Sequence, residues 1–106
     1  MGCTVDVSLT EVLDIYETYD SKCAYCGQDA GSPDHLIPLK ERGLCVAANI
    51  VPCCQECKFK KHTHNIVWFY RNGGVNKEQM SHIVGIAIGL KNGDVIKEHI
   101  RSLLPT

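Results

Sequence analysis

Long apolar runs are missing from this sequence, and so is an excess of charge of either sign. No hydrophobic stretch reaches the roughly 18 to 20 residues that a membrane-spanning helix needs. The opening residues, "MGCTVDVSLTEV", show no basic region followed by an apolar one, so we predict no export signal and expect a cytoplasmic protein. The 11 basic and 12 acidic side chains give a formal net charge of -1, which excludes a uniformly basic surface. Any affinity for nucleic acid must therefore be local.

Cysteine, in contrast, is abundant, with 7 residues in a chain of 106. In a reducing compartment such a number points to metal binding or catalysis before disulfides, and an odd count also fits a disulfide scaffold poorly. The chain length is that of one ordinary domain, and 44% hydrophobic residues suit a single core. We therefore expect one metal-stabilised domain.

Two cysteine pairs have the spacing of zinc knuckles. Cys23 and Cys26 form "CAYC", and Cys54 and Cys57 form "CQEC". Together they supply four thiolates, which close all positions of a tetrahedral zinc ion and leave none for substrate, so we predict a structural site. The alternative is that these cysteines are redox-active or simply buried. The other cysteines, which we assign to packing or surface, are Cys3, Cys45 and Cys53.

The remaining pattern is mostly helical. Residues 8–20 have apolar side chains at helical spacing after a Ser-x-x-Glu capping box. "HLIPL" and "NIVP" predict two short strands joined by a long loop. The chain should turn helical again through "KFKKH" and "NIVWFYR" until "NGG" ends it, with further helices over 77–90 and 94–104.

Twenty-seven residues, 27 to 53, separate the two knuckles and contain an Asp-His pair followed by an asparagine. The run "CAYCGQDAGSPDHLIPLKERGLCVAANIVPCCQECKFKK" resembles the HNH (His-Asn-His) endonuclease family, whose pattern is C-x2-C, Asp-His-x-x-Pro, Asn, C-x2-C and a basic helix. Upstream, "IYETYDSKCAYCG" also looks like the helix that leads into such domains in phage and bacterial members. The resemblance implies a bacterial cell or a phage-infected host, and DNA as the partner.

The resemblance also implies a fold and a set of roles. The fold is a ββα-metal hairpin and helix, in which His35 is the general base, Asn49 orients that base and Asp34 binds a catalytic divalent cation. An imidazole titrates near neutrality, and a hard carboxylate suits Mg2+ or Mn2+ better than it suits zinc. The implied reaction is the hydrolysis of DNA phosphodiester bonds, by nicking or by strand cleavage.

One position departs from the family pattern. The residue after the last knuckle cysteine is usually His or Asn and completes the cation site, but here it is Lys58, whose ammonium cannot coordinate a cation. His62, one helical turn further on, is a candidate to replace it beside Asp34, and His64 is a poorer one. The alternative is that His62 is solvated or faces phosphate.

Basic residues surround this site and predict phosphate contacts without sequence readout. The alternative is that these basic residues form only a solvent-exposed helix face. The residues expected to bind nucleic acid are Lys58, Lys60, Lys61, Lys40 and Arg42.

Taken together, these patterns predict one α+β domain over residues 1–106. It comprises a leading helix at 8–20, a zinc-stapled ββα core at 21–64 and a helical part at 65–106. Two alternatives to the endonuclease stay open: a zinc-containing nucleic-acid-binding module that has lost catalysis through Lys58, and a zinc-stabilised protein-interaction domain.

Overall fold

The computed structural model describes residues 7–104, in which five α-helices surround a two-stranded antiparallel sheet. This mixture agrees with the predicted α+β class. No helix in the described range is both long and apolar enough to cross a membrane. In chain order the elements are α1 Leu9–Thr18, β1 Pro33–His35, β2 Ile50–Pro52, α2 Gln55–Lys61, α3 Ile66–Arg71, α4 Lys77–Ile88 and α5 Gly93–Leu103.

Helix α1 begins at the predicted capping box. The Ser8 backbone N–H donates to Glu11 Oε1 at 2.9 Å, and the Glu11 N–H donates to Ser8 Oγ at 3.2 Å. These two bonds satisfy backbone donors that the first turn of a helix leaves without partners. The helix places Ile15 in the core, and Tyr19, its C-terminal cap, is also buried.

The strands are shorter than the sequence suggested. β1 pairs with β2 so that Asp34 lies opposite Val51 and His35 opposite Ile50. The predicted bounds of the strand "HLIPL" are wrong. β1 ends at His35, which is the first residue of that stretch, and a 3₁₀ turn begins at Leu39. Pro38, which has no N–H for a sheet ladder, lies at that turn.

The predicted helical stretch after Cys57 is two helices. Helix α2 ends at Lys61, and His62 adopts φ 54°, which a right-handed helix cannot contain. Asn65 then starts α3 by accepting a hydrogen bond from the Trp68 N–H at 2.8 Å. An N-cap of this kind begins a new helix, so the capping residue explains the break.

The two last helices agree with their predicted positions to within two residues. α4 and α5 pack against each other and contribute Ile83, Ile96 and Ile100 to the core. A Cβ on Gly93 would lie 2.2 Å from the Ala87 carbonyl oxygen, so only glycine allows this approach. Helical spacing of apolar residues was a sufficient signal here because both helices bury one face.

Candidate functional site

The four knuckle cysteines come together as predicted. The Sγ atoms of Cys23, Cys26, Cys54 and Cys57 all lie within 4.8 Å of one another, with 3.6 Å between Cys26 and Cys54. Zinc bound at about 2.3 Å to four sulfurs in a tetrahedron would place those sulfurs about 3.8 Å apart. The cluster could therefore hold a metal ion such as zinc.

The backbone around the cluster suits metal binding. Gly27, at φ 83°, lets the first knuckle turn back so that its N–H donates to the Cys23 carbonyl at 2.9 Å. Cys54 is the N-cap of α2, and its sulfur accepts from the Cys57 N–H at 3.4 Å. Burial raises the pKa of the Cys57 thiol. A cation bound to the cluster would therefore stabilise the thiolate form of Cys57.

Cys53 is buried next to the cluster without belonging to it. The hydrogen bond with Cys23 raises the pKa of the Cys53 thiol, with burial adding to the effect, and the same bond lowers the pKa of Cys23 to about 4. The Cys53 sulfur also lies 3.3 Å from the Cys54 carbonyl oxygen. Its assignment to packing fits this position. Cys45 was also assigned to packing or surface, and that assignment is wrong because Cys45 is disulfide-bonded. Cys3 lies outside the described residues.

The other end of α2 touches β1 through Lys61. This residue is 1% exposed, and its Nζ lies 2.9 Å from Asp34 Oδ2 and donates to the His35 carbonyl at 2.8 Å. Lys61 was predicted to contact phosphate together with Lys58 and Lys60, but in this structure its ammonium is buried and paired with Asp34. Lys60, its neighbour, does face solvent, 3.5 Å from Glu56.

Asp34 has a second partner that sequence reasoning missed. The buried Tyr25 hydroxyl donates to Asp34 Oδ2 at 2.8 Å, and the Lys61 Nζ lies 5.9 Å from the Tyr25 ring centroid. Burial, followed by the charge of Asp34, raises the pKa of Tyr25. Tyr25 lies inside the "CAYC" knuckle, so its position beside the cysteine cluster follows from the motif. Its hydrogen bond to Asp34 could not be predicted from that motif.

Lys58, which stands where the family has His or Asn, is tied to the start of β1. Its Nζ donates to Ser32 Oγ at 2.6 Å and to the Pro33 carbonyl at 2.7 Å. Two ammonium groups of α2 are thus fixed on residues 32–35, one at the strand's start and one at its end.

His35 lies in a cleft of about 590 Å³ between β1, α2 and the Leu39 turn. Burial lowers the pKa of His35, although the charge of Asp34 opposes this effect, while Lys61 and Lys58 add to it. The lowered pKa favours the neutral imidazole, which is the form that a proton acceptor needs. Residues that line the cleft include Asp34, His35, Leu39, Lys40, Lys58 and His62.

Asn49 acts on the backbone just beyond His35. It is fully buried, and its Oδ1 accepts from the Ile37 N–H at 2.9 Å. Its Nδ2 donates to the Ile37 carbonyl at 2.9 Å and to the Leu44 carbonyl at 2.8 Å. These bonds hold the chain as it leaves β1, so they support the position of His35.

The remaining candidates lie on the rim or outside the cleft. His62 is exposed, with Nδ1 3.3 Å from Thr63 Oγ1, and Lys40 Nζ donates to the same hydroxyl at 3.0 Å. Arg42 is exposed and is not among the residues that line the cleft. Within residues 7–104, the cysteine cluster is the one group of three or more His, Cys, Asp or Glu side chains close enough to share a metal.

No protein-family model matches this sequence, and no curated protein matches it either. Function must therefore be inferred from the cysteine cluster and from the cleft around His35.

Proposed function

We propose that the protein is an HNH-type endonuclease that hydrolyses DNA phosphodiester bonds in the cleft around His35. The observation that carries this proposal is the position of His35 in the cleft, where Lys61 holds the His35 carbonyl and Asn49 holds the backbone just after β1. A general base needs a pKa below the working pH and a fixed position. Both conditions support His35 in this role.

The cysteine cluster is proposed as a structural zinc site and the surrounding hairpin and helix as a ββα-metal core. Four sulfurs leave no coordination position for a substrate, which favours a structural role over a catalytic one. The first knuckle precedes β1 and the second begins α2, so one ion would join both ends of the insert that carries the cleft.

The proposed reaction is a hydrolysis in which His35 takes a proton from water. The water oxygen forms a bond to phosphorus, the ester P–O bond breaks, and the leaving oxygen receives a proton from solvent. Lys40 and His62 line the rim of the cleft, and in this proposal they meet flanking backbone phosphates. Phosphate contacts of this kind give affinity without sequence readout.

A catalytic Mg2+ or Mn2+ on Asp34, with His62 as a second ligand, stays a prediction. Such a cation would neutralise charge that develops on the phosphate. The residues do not fit it in this arrangement, because Asp34 Oδ2 already accepts from Tyr25 and pairs with Lys61. We therefore assign no step to a cation.

A nucleic-acid-binding module without catalysis is the second candidate. Its support is the position of Lys58, whose ammonium lies at the start of β1, near the place where a nuclease would be expected to hold a metal ion. Fixed positive charge of this kind suits phosphate binding as well as it suits hydrolysis.

The test compares the wild type with His35→Ala on supercoiled plasmid, both without a divalent cation and in the presence of Mg2+, Mn2+ or Ni2+. Removal of the base should lower the cleavage rate by about 10²-fold or more while zinc content and DNA affinity stay unchanged. His99→Ala is the matched control, since His99 lies on α5 and does not line the cleft.

Three outcomes separate the candidates. Equal cleavage by His35→Ala and the wild type would eliminate the proposed mechanism. Salt-dependent DNA binding without cleavage, whether or not one of these divalent cations is present, would favour the binding module. If the protein neither binds nor cleaves DNA, both candidate functions are rejected.

A further inference from the structure

The feature that the proposed reaction leaves unused is the ion pair at the inner end of the cleft. Lys61 is the only lysine among the buried residues of the described chain, and its ammonium contacts the Asp34 carboxylate and the His35 carbonyl. The Asp34 side chain is itself only 14% exposed. A buried carboxylate with a buried ammonium is costly to separate, so the pair is a fixed part of this site.

The position of the pair conflicts with a divalent cation on the same carboxylate. A Mg2+ ion binds oxygen at about 2.0 to 2.1 Å, so an ion on Asp34 Oδ2 would lie within about 5 Å of the Lys61 ammonium. Lys58 adds a second positive charge at the start of the same strand. Both groups repel a cation, and neither has an electron pair to offer it while protonated.

We propose that the Lys61 ammonium takes the place of a catalytic divalent cation beside Asp34, so that the cleft binds the phosphates of nucleic acid without one. The nucleic-acid part of this statement rests on the proposed function, whereas the exclusion of the cation does not. With Asp34 neutralised by Lys61, Lys58 contributes a positive charge at residues 32–35 that no carboxylate of this segment balances. That balance suits an anionic phosphate.

The pair also positions the base. Lys61 donates to the carbonyl of His35 itself, and Asp34 precedes His35 in the strand. The ammonium therefore fixes the backbone on which the imidazole is mounted, which makes Lys61 a positioning residue. A divalent ion could occupy Asp34 Oδ2 only by displacing Lys61 and loosening that backbone.

The first experiment measures Mn2+ binding to the zinc-loaded protein by the electron paramagnetic resonance signal of free Mn2+. Other metals are removed from the buffer with a chelating resin, because a soluble chelator would also strip zinc. The wild type and Lys60→Met, the exposed neighbour, should leave the signal of millimolar Mn2+ unchanged. Lys61→Met should bind Mn2+ at least about tenfold more tightly than the wild type, and adding Asp34→Asn should remove that gain.

Wild-type binding below millimolar Mn2+ that Asp34→Asn abolishes would overturn the proposal, and this comparison needs no lysine variant to fold. Lys61→Arg keeps the charge and should behave like the wild type.

The second experiment follows a fluorescent DNA duplex by anisotropy at constant ionic strength, with and without Mn2+. Equal affinity is expected, and a tenfold gain with Mn2+ that depends on Asp34 would also overturn the proposal. If the protein binds no DNA at all, the proposed function fails, while the Mn2+ titration still decides whether Lys61 excludes the cation.

Discussion

Lys60 and Lys61 are neighbours in sequence with opposite environments. Successive residues of an α-helix point about 100° apart, so one lysine of α2 faces solvent while the next faces β1. The sequence "KFKKH" cannot tell which of its lysines is buried, because a buried lysine depends on a partner carboxylate far along the chain. Here that partner is Asp34, 27 positions before Lys61.

Lys61→Met should destabilise the protein by about 3 to 5 kcal/mol, because it leaves the carboxylate of Asp34 buried without its cation. Lys60→Met should change the free energy of unfolding by less than about 0.5 kcal/mol, as expected for an exposed residue. Urea unfolding of the zinc-loaded proteins measures both values. Equal losses of stability in the two variants would show that the ion pair of Lys61 and Asp34 does not contribute more than an exposed lysine.

Lys40 and Lys60 are the exposed lysines among the residues that we predict to bind phosphate. Replacing both with Ala should lower the slope of log affinity against log salt by up to about 2, because each lysine neutralises about one phosphate. The decrease in affinity should be similar for DNA duplexes of unrelated sequence. Fluorescence anisotropy at several salt concentrations gives the slope, and an unchanged slope would assign both lysines to a solvated surface.

At the scale of elements, the sequence predicts what depends on local pattern and misses what depends on distant contacts. The capping box of α1 and the apolar spacing of α4 and α5 are local signals, and those helices lie within two residues of their predicted bounds. β1 was placed too late, because "HLIPL" is typical of a strand although Leu36 and Ile37 are buried as the chain turns. Strand bounds depend on pairing with β2, which no local pattern reports.

The α4–α5 junction allows a matched pair of glycine substitutions. Gly93→Ala should destabilise the protein by about 1 to 3 kcal/mol, because the new Cβ would overlap backbone oxygen of α4. Gly85→Ala, on an exposed face of α4 with nothing within 4 Å, should stabilise it by up to about 1 kcal/mol. Thermal unfolding compares them, and a stabilising Gly93→Ala would contradict the close approach.

At the scale of the whole molecule, the cysteine cluster joins distant parts of the chain. The four ligand candidates were predictable because knuckle spacing is itself the signal, whereas the link from the cluster to the cleft was not. That link passes through α2, which begins at Cys54 and ends at Lys61. Only the folded chain brings the Lys61 end against Asp34.

Removal of the metal should unfold the protein or reduce its stability severely, because the free energy of structural zinc binding is also free energy of folding. Cys26→Ser and Cys57→Ser should do the same, whereas Cys53→Ala should keep about one zinc per chain. Circular dichroism with metal analysis of the purified proteins measures both. A metal-free protein with unchanged stability would reject the structural zinc.

Helix α2 is held at both ends, by sulfur at its start and by the Lys61 ion pair at its last residue. Seven residues at about 1.5 Å each make a rod of roughly 10 Å. If the cluster binds a metal ion and the cleft binds phosphate as proposed, both would be ligands at the two ends of one rigid helix. If a bound oligonucleotide steadies the cleft, it must raise the affinity for zinc by the same factor by which zinc raises the affinity for the oligonucleotide.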